Sequence, residues 1–457
     1  MRKKDLDNLS RRSFMASSLR AALFGAYALS SSAQAKQTPW RNWSGGLYCN
    51  PKGRYDINDE EQLASLLKET SGPIRPVGSG HSFSPLVPTD GHLIVVDQLN
   101  GILDYDNQTM EATFGAGSRL GDLGSPLFEI GQGMLNLPDI DRQTVAGATA
   151  TGTHGTGINF KSLSGYITGL RLITADGDIK ELDASQKDLF DAARVNLGAL
   201  GVVTRIKMQN RKAYKLKKRE WTAPTEDMLR DFQMLASKYR HFEIFPLVYS
   251  DYSLVLAIDE TEQPIGETII PAEEVELADL RPLGVNASPA EKLAMNNALA
   301  ENTQISEAVD QSYKVSTNIR SNPINEKEYS VPESTSAECV REILKTIYDE
   351  AIEVAFPLEY RYVSPEDPWL SMAYGEEPHA TISIHRSAFE DYQPYFNRIE
   401  PIFRKYGGRP HWGKVHSLGH NELNELYPRF SDFKEIRNSL DPHGRLLNEH
   451  LRKLFYA

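Results

Sequence analysis

The chain has 457 residues, a formal net charge of −12 and two cysteines. The acidic balance argues against nucleic acid or an anionic membrane surface as partner, and Cys49 and Cys339 lie too far apart in sequence to form a disulfide framework. The length exceeds what one hydrophobic core supports, so two domains are expected, and the lack of CxxC or HExxH spacing predicts no metal.

Ser10-Arg11-Arg12-Ser13-Phe14-Met15 is close to a twin-arginine motif. A mildly apolar stretch, Ala21 to Leu29, and the cleavage pattern Ala33-Gln34-Ala35 follow. Residues 1–35 therefore read as an export signal engaging the twin-arginine machinery, which makes the mature protein periplasmic or secreted. The apolar stretch falls short of the ~20 residues that cross a bilayer, so no stable membrane insertion is expected. The segment carries six Lys/Arg and two Asp/Glu, leaving the remainder near −16.

Trp40 to Asn50 (WRNWSGGLYCN) reads as an irregular aromatic lead-in. A helix is predicted from Asn58, with Glu61 as capping-box partner and Leu63, Leu66 and Leu67 on its apolar face. Ile74 to Val77 is a predicted strand running into Gly78-Ser79-Gly80-His81-Ser82. Alternate glycines let the backbone approach a ligand, and successive N–H groups with small hydroxyls cradle a pyrophosphate. The imidazole ending this loop is more than a phosphate cradle needs. A second small-residue segment runs from Gln143 to Gly157 (QTVAGATATGTHGTG). Leu93 to Val96 and Glu111 to Phe114 are predicted strands. Leu170 to Leu182 is a predicted hairpin turning at Asp176-Gly177, and Val202 to Met208 a further strand. Short strands mixed with helices predict an α+β fold, and no GxGxxG joins a strand to a helix, which argues against a Rossmann site.

Beyond Arg211, the basic run Lys212 to Arg219 reads as a solvated strand edge. His241 to Phe245 and Tyr252 to Ala257 are predicted strands, Pro264 to Pro282 a surface excursion, and residues 285–310 a helix. Phe356 to Val363, Ala380 to His385 and Arg409 to Trp412 are predicted strands. This region reads as an antiparallel sheet with helices on one face. Glu359 and Arg361, two residues apart on a strand, share one face at ~7 Å.

The two small-residue segments resemble the flavin-binding domain shared by vanillyl-alcohol oxidase, the sugar-lactone oxidases and the alditol oxidases. His411-Trp412-Gly413-Lys414 matches a signature of the aldonolactone and alditol oxidases. The NWSGG lead-in and Ile324-Asn325-Glu326-Lys327-Glu328-Tyr329 match as well, so the resemblance covers nearly the whole chain beyond residue 35. It implies a two-domain flavoprotein: a FAD domain over 36–211, an antiparallel-sheet substrate domain over 212–440, and a tail, 441–457, returning to the FAD domain. It implies FAD bound covalently through His81, with further contacts from Arg75, Gly78, Ser79, Gly80, Ser82, Gly147, Thr149, Gly152, Thr153, Gly155, Val203 through its backbone, and His411 against the ring. His154 would serve the backbone geometry of the second segment.

The chemistry of the residues agrees. Oxidising an alcohol by hydride transfer needs a proton acceptor, cations facing the developing alkoxide and a held carbinol. Arg361 and Lys414 supply charge, Glu359 orients a hydroxyl or Arg361, and His385 is a further contact. The expected activity is oxidation of a sugar-1,4-lactone CH–OH, of D-arabinono-1,4-lactone type, with O2 as acceptor and peroxide as product. Alditol oxidation, a dehydrogenase using a quinone or cytochrome, and a colourless, non-catalytic carbohydrate-binding protein are the alternatives.

Overall fold

The computed structural model describes residue 36 and residues 38–266, 287–303, 305–317 and 322–456. The twin-arginine segment and residues 267–282 of the acidic excursion lie outside them. Among the described residues, no helix is long and apolar enough to cross a membrane. Cys339 is buried and Cys49 half-buried, and neither forms a disulfide.

A small parallel sheet, ordered Gly53–Asp56, His92–Val95, Ile74–Val77, delivers the glycine loop. The helix Glu60–Glu69 crosses over it, burying Leu63 and Leu67. Its cap lies one residue beyond the predicted one. Asp59 accepts from the Gln62 N–H at 2.7 Å, and the Gln62 side chain accepts from the Asn58 N–H at 2.9 Å. Asp59 carries the better cap side chain for that register.

A second, antiparallel sheet is ordered Ile179–Asp183, Ile167–Ile173, Val202–Lys212, Glu111–Gly115, Ile102–Asp106, with Gln132–Met134 also paired to Val202–Lys212. Its hairpin turns at Gly177, whose φ is +80°. The lead-in contains a short hairpin, Trp40–Arg41 against Tyr48–Cys49.

The third sheet has eight antiparallel strands: Ser306–Gln311, Lys215–Pro224, Tyr252–Glu260, His241–Pro246, Glu359–Val363, His379–Ser387, Ile324–Pro332 and Arg409–Pro410. Two expectations change here. The basic run is not an edge, because Lys215–Pro224 is paired on both sides, and Lys217 and Arg219 bridge to Glu307 on its neighbour. The helix expected over 285–310 occupies only Pro289–Glu301, and Ser306–Gln311 is a strand recruited by that pairing.

The registers give this sheet two different faces. Phe242, Ile244, Tyr329, Val331, Tyr360, Tyr362, Ile382 and Ile384 face the helices Thr225–Lys238, Glu333–Asp349 and Gln393–Lys405, and are buried in the continuous core. The opposite face of the same strands carries Glu243, Glu326, Glu328, Glu359, Arg361, Thr381, Ser383 and His385. All but Glu243 are less than 9% exposed. Burying charge costs several kcal/mol per ion unless it is paired, so this polar face marks a site rather than a packing solution.

The tail closes the molecule. The Ile74 N–H donates to the Arg445 carbonyl at 2.7 Å, and Asn448 donates to the carbonyls of Pro85 and Pro88, each at 2.9 Å.

Candidate active site

The cleft lies between the polar face and the glycine loop and has a volume of about 220 Å³. Of the residues singled out in the sequence, Gly78, Ser79, Gly80, His81, Ser82, Gly147, Thr153, Val203, His411, Glu359, Arg361, His385 and Lys414 line it. Thr149, Gly152 and Gly155 do not. Thr149 is buried and spends its hydroxyl on the Val145 carbonyl at 2.9 Å. Gly152 takes the turn after the helix Val145–Ala150 at φ +74°. A Cβ on Gly155 would sit 2.2 Å from the Leu137 carbonyl oxygen, so that glycine allows a backbone crossing behind the cleft.

Arg75 lines the cleft too, with its guanidinium spent on backbone carbonyls. Its guanidinium donates to the carbonyls of Leu86 (2.8 Å), Leu197 (2.6 Å), Gly198 (2.8 Å) and Leu446 (2.5 Å). It therefore shapes the wall. Leu197 and Gly198 are consecutive left-handed residues, φ +55° and +65°, a geometry that costs a non-glycine residue ~1–2 kcal/mol and that the arginine holds in place.

The glycine loop fits a diphosphate. Among the described residues, no acceptor meets the N–H groups of Ser79, Gly80, His81 or Ser82, and the buried Ser79 hydroxyl has no partner. Gly80 is left-handed at φ +70°. A Cβ on Gly78 would fall 2.1 Å from Thr144 Oγ1, so only glycine lets the two small-residue segments touch.

His81 stacks on Trp43 with centroids 5.3 Å apart and planes at 22°. Trp43 belongs to the lead-in, whose N–H donates to the Gly80 carbonyl at 2.8 Å. Burial, then the positive charges of Lys414, Arg119 and Arg142, push His81 down to about 4. Its imidazole is therefore neutral near pH 7, with a lone pair available as a nucleophile.

The HWGK turn docks directly on this loop. Phe83 N–H donates to the Gly413 carbonyl at 2.6 Å, and the Ser84 hydroxyl donates to the Trp412 carbonyl. His411 accepts the Gly413 N–H on Nδ1 at 2.9 Å. Burial, partly offset by Glu328, pushes His411 down to about 3, so the ring is neutral with its proton on Nε2.

The polar face is one connected network. Arg361 reaches Glu359 at 3.1 Å and Glu328 at 3.4 Å. Lys414 is paired with Glu326, and His385 Nε2 lies 3.6 Å from Glu326 and 4.0 Å from Glu359. His154 bridges the second small-residue segment to this sheet, with ring nitrogens 2.8 Å from the Gly155 carbonyl and 2.5 Å from Glu328. Burial opposes ionisation of Glu326, but Lys414 and His385 more than offset it and hold the carboxyl well below its ordinary range. His154 and Arg361 do the same for Glu328. Glu359 goes the other way: burial raises it despite Arg361 and His385. Carboxyls pushed apart in this way take different roles. Glu326, Glu359 and His385 cluster closely enough to hold a metal ion, but Lys414 and Arg361 already balance both carboxylates.

Sequence reasoning missed Glu326, Glu328 and Trp43 as site residues. The alternation in Ile324–Pro332 was the available signal, since Glu326 and Glu328 share a parity with Ile324.

Comparison with known proteins agrees with the geometry. The family described as FAD binding domain matches residues 52–183, and that described as D-arabinono-1,4-lactone oxidase matches residues 206–454. The L-gulono-1,4-lactone dehydrogenase of Mycobacterium tuberculosis is 33% identical, covering 91% of this chain and 98% of its own. The L-gulonolactone oxidase of Mus musculus is 27% identical (92% and 99% covered). An alditol oxidase of Streptomyces is 26% identical (90% and 98%). Cholesterol oxidase from Brevibacterium sterolicum superposes with a TM-score of 0.77 at 16% identity, covering 94% of this chain and 98% of its own, a likeness of fold alone. Fold and cleft define a FAD-dependent oxidoreductase of vanillyl-alcohol-oxidase-type architecture, acting on CH–OH groups. The chain belongs to the D-arabinono-1,4-lactone oxidase family.

Proposed function

We propose that the protein oxidises a CH–OH group of a sugar-1,4-lactone of the D-arabinono-1,4-lactone type, with O2 as acceptor and peroxide as product. The observation carrying this reading is the buried polar face, where Glu326, Glu359, Arg361, His385 and Lys414 converge on the cleft beside the glycine loop. A polyhydroxylated ligand needs a partner for each hydroxyl it buries, and this face offers them. Bound FAD supplies the two-electron oxidation. Arg361 and Lys414 stabilise negative charge developing on the substrate oxygen. Glu359, the carboxyl raised by burial, takes the hydroxyl proton. Glu326 and His385 orient Lys414 and the ring hydroxyls. His411 donates from Nε2 into the cleft. Gly78, Ser79, Gly80 and Ser82 would hold the diphosphate, and His81 would hold the flavin covalently. Residues 36–211 would form the FAD domain and 212–440 the substrate domain.

The relative named a dehydrogenase favours a second reading in which a quinone or cytochrome replaces O2, and the alditol oxidase favours a polyol substrate. Residues 1–35 would direct twin-arginine export to the periplasm or beyond. The test is acid precipitation of the purified protein, followed by turnover of D-arabinono-1,4-lactone, L-gulono-1,4-lactone and xylitol with peroxide and dye readouts. Yellow colour in the pellet, lost to the supernatant in His81→Ala, supports the covalent bond. Colour in the wild-type supernatant removes it. Dye reduction without peroxide removes the oxidase reading, and xylitol turnover without lactone turnover removes the lactone.

A further inference from the structure

A second, smaller cavity of about 30 Å³ lies behind Arg361, between the cofactor side and the sheet. Its walls include Asp139, Lys218, His241, Glu243 and Arg361. Arg361 and Asp139 line the main cleft as well, so these side chains stand between the two spaces. The volume accepts roughly two waters at ~10–15 Å³ each. Two polar groups there lack partners. Arg361, 6% exposed, has an Nε with no hydrogen-bond acceptor. Glu243 lies directly across from Arg361 in the sheet and forms no hydrogen bond or ion pair with the described residues.

An unpartnered carboxylate in a water-sized cavity is costly unless the cavity is wet. Oxidising CH–OH to C=O breaks the C–H bond, whose hydrogen leaves with its electron pair to the flavin. It also breaks the O–H bond, whose proton must leave through the protein. We propose that Glu243 and the water in this cavity form the outlet for that proton. Glu359, whose charge acts on Glu243 from the adjacent strand, takes the proton from the hydroxyl oxygen. The proton crosses past Arg361, which lines both spaces, to cavity water, which delivers one of its own to Glu243. Glu243 then releases it to solvent, and both carboxylates return to their starting state. The proposal rests on the assignment of CH–OH oxidation to the cleft.

The groups facing Glu243 are Glu359 and Arg361 on the adjacent strand, Asp139, Lys218 and, on its own strand, His241. Burial, and then Glu359, raise it to about 8 against the pull of Arg361. A carboxyl held there both takes and gives up a proton near neutral pH.

The experiment compares wild type with Glu243→Gln and Glu243→Ala, each checked for melting temperature and flavin content. Anaerobic flavin reduction by the substrate is followed across pH. The expected result for Glu243→Gln is a fall in limiting rate of about tenfold or more, with half-saturation within about twofold. The rise in rate through pH 8 should disappear, and formate should restore Glu243→Ala. An unchanged rate and pH profile overturns the proposal, as does a loss explained entirely by flavin content or half-saturation. Infrared titration of the flavin-loaded protein gives an answer that needs no substrate. A protonated-carboxyl band should vanish as pH rises through 8 and be absent from Glu243→Gln. Absence of that band from wild type overturns the proposal, whereas its presence without any flavin reduction by lactone or polyol overturns only the substrate assignment.

Discussion

The carboxylates of the polar face show how far single residues were legible. Glu359 and Arg361 were readable because two charges spaced i, i+2 in an apolar strand must share a face, and they do. For Glu326 and Glu328 the alternation showed a shared face but not its burial, because Ile324–Pro332 is buried on both faces and its polar side reads in sequence as an exposed one. Trp43 was hidden differently: nothing local announces that a lead-in aromatic will meet a histidine in the glycine loop. The roles assigned to these side chains give a direct test. In Glu359→Gln the proton acceptor is lost while the side chain's size is kept. The limiting rate should fall by ~10²-fold or more with flavin content unchanged, measured by stopped-flow reduction. A rate within threefold of wild type would take the hydroxyl proton away from Glu359.

At the scale of elements, the strands leading into glycine-rich turns were found because turn chemistry is local. The errors came where partners far away in sequence decide. Ser306–Gln311 forms as a strand against Lys215–Pro224, and that pairing turns an apparent basic edge into an interior strand. Arg75, expected among the FAD contacts from the family resemblance, has its guanidinium held by four carbonyls from three other segments. Contact between the two small-residue segments is a property of elements that one atom controls. A methyl group at Gly78 would meet Thr144 Oγ1 at 2.1 Å. Gly78→Ala should therefore separate the segments and sharply reduce flavin content. Adding Thr144→Ala should recover part of it, at a cost of ~1 kcal/mol for the lost helix cap. Absorbance per protein monomer measures both, and full loading of the single variant would refute the close-contact account.

Across the whole molecule, buried neutral histidines set the response to acid. Burial lowers His241 to about 4 and His411 to about 3, and both are less than 5% exposed. Their unfolded values lie near 6.5. Between those values the unfolded chain binds the extra protons, so stability rises with pH through this window and is lost as pH falls from 6.5 toward 4. One unit below 6.5, each histidine removes ~1.4 kcal/mol. Thermal melts from pH 8 to pH 5 should show a midpoint falling steadily below pH 6.5, and a flat profile would contradict the burial of neutral rings.

The hydrogen bonds of Arg75 and Ile74 to Leu446 and Arg445 also govern the order of events during biosynthesis. A ribosome that has released the first two hundred or so residues has made the glycine loop, the second small-residue segment and the strand carrying Val203, but not the carbonyls that anchor the loop's approach strand. The cofactor pocket is thus finished only by a segment that lies 371 residues beyond Arg75 in the chain. Cofactor capture in the native geometry therefore waits for that segment, and a nascent chain stalled short of Arg445 would hold the binding motifs without the enclosed pocket.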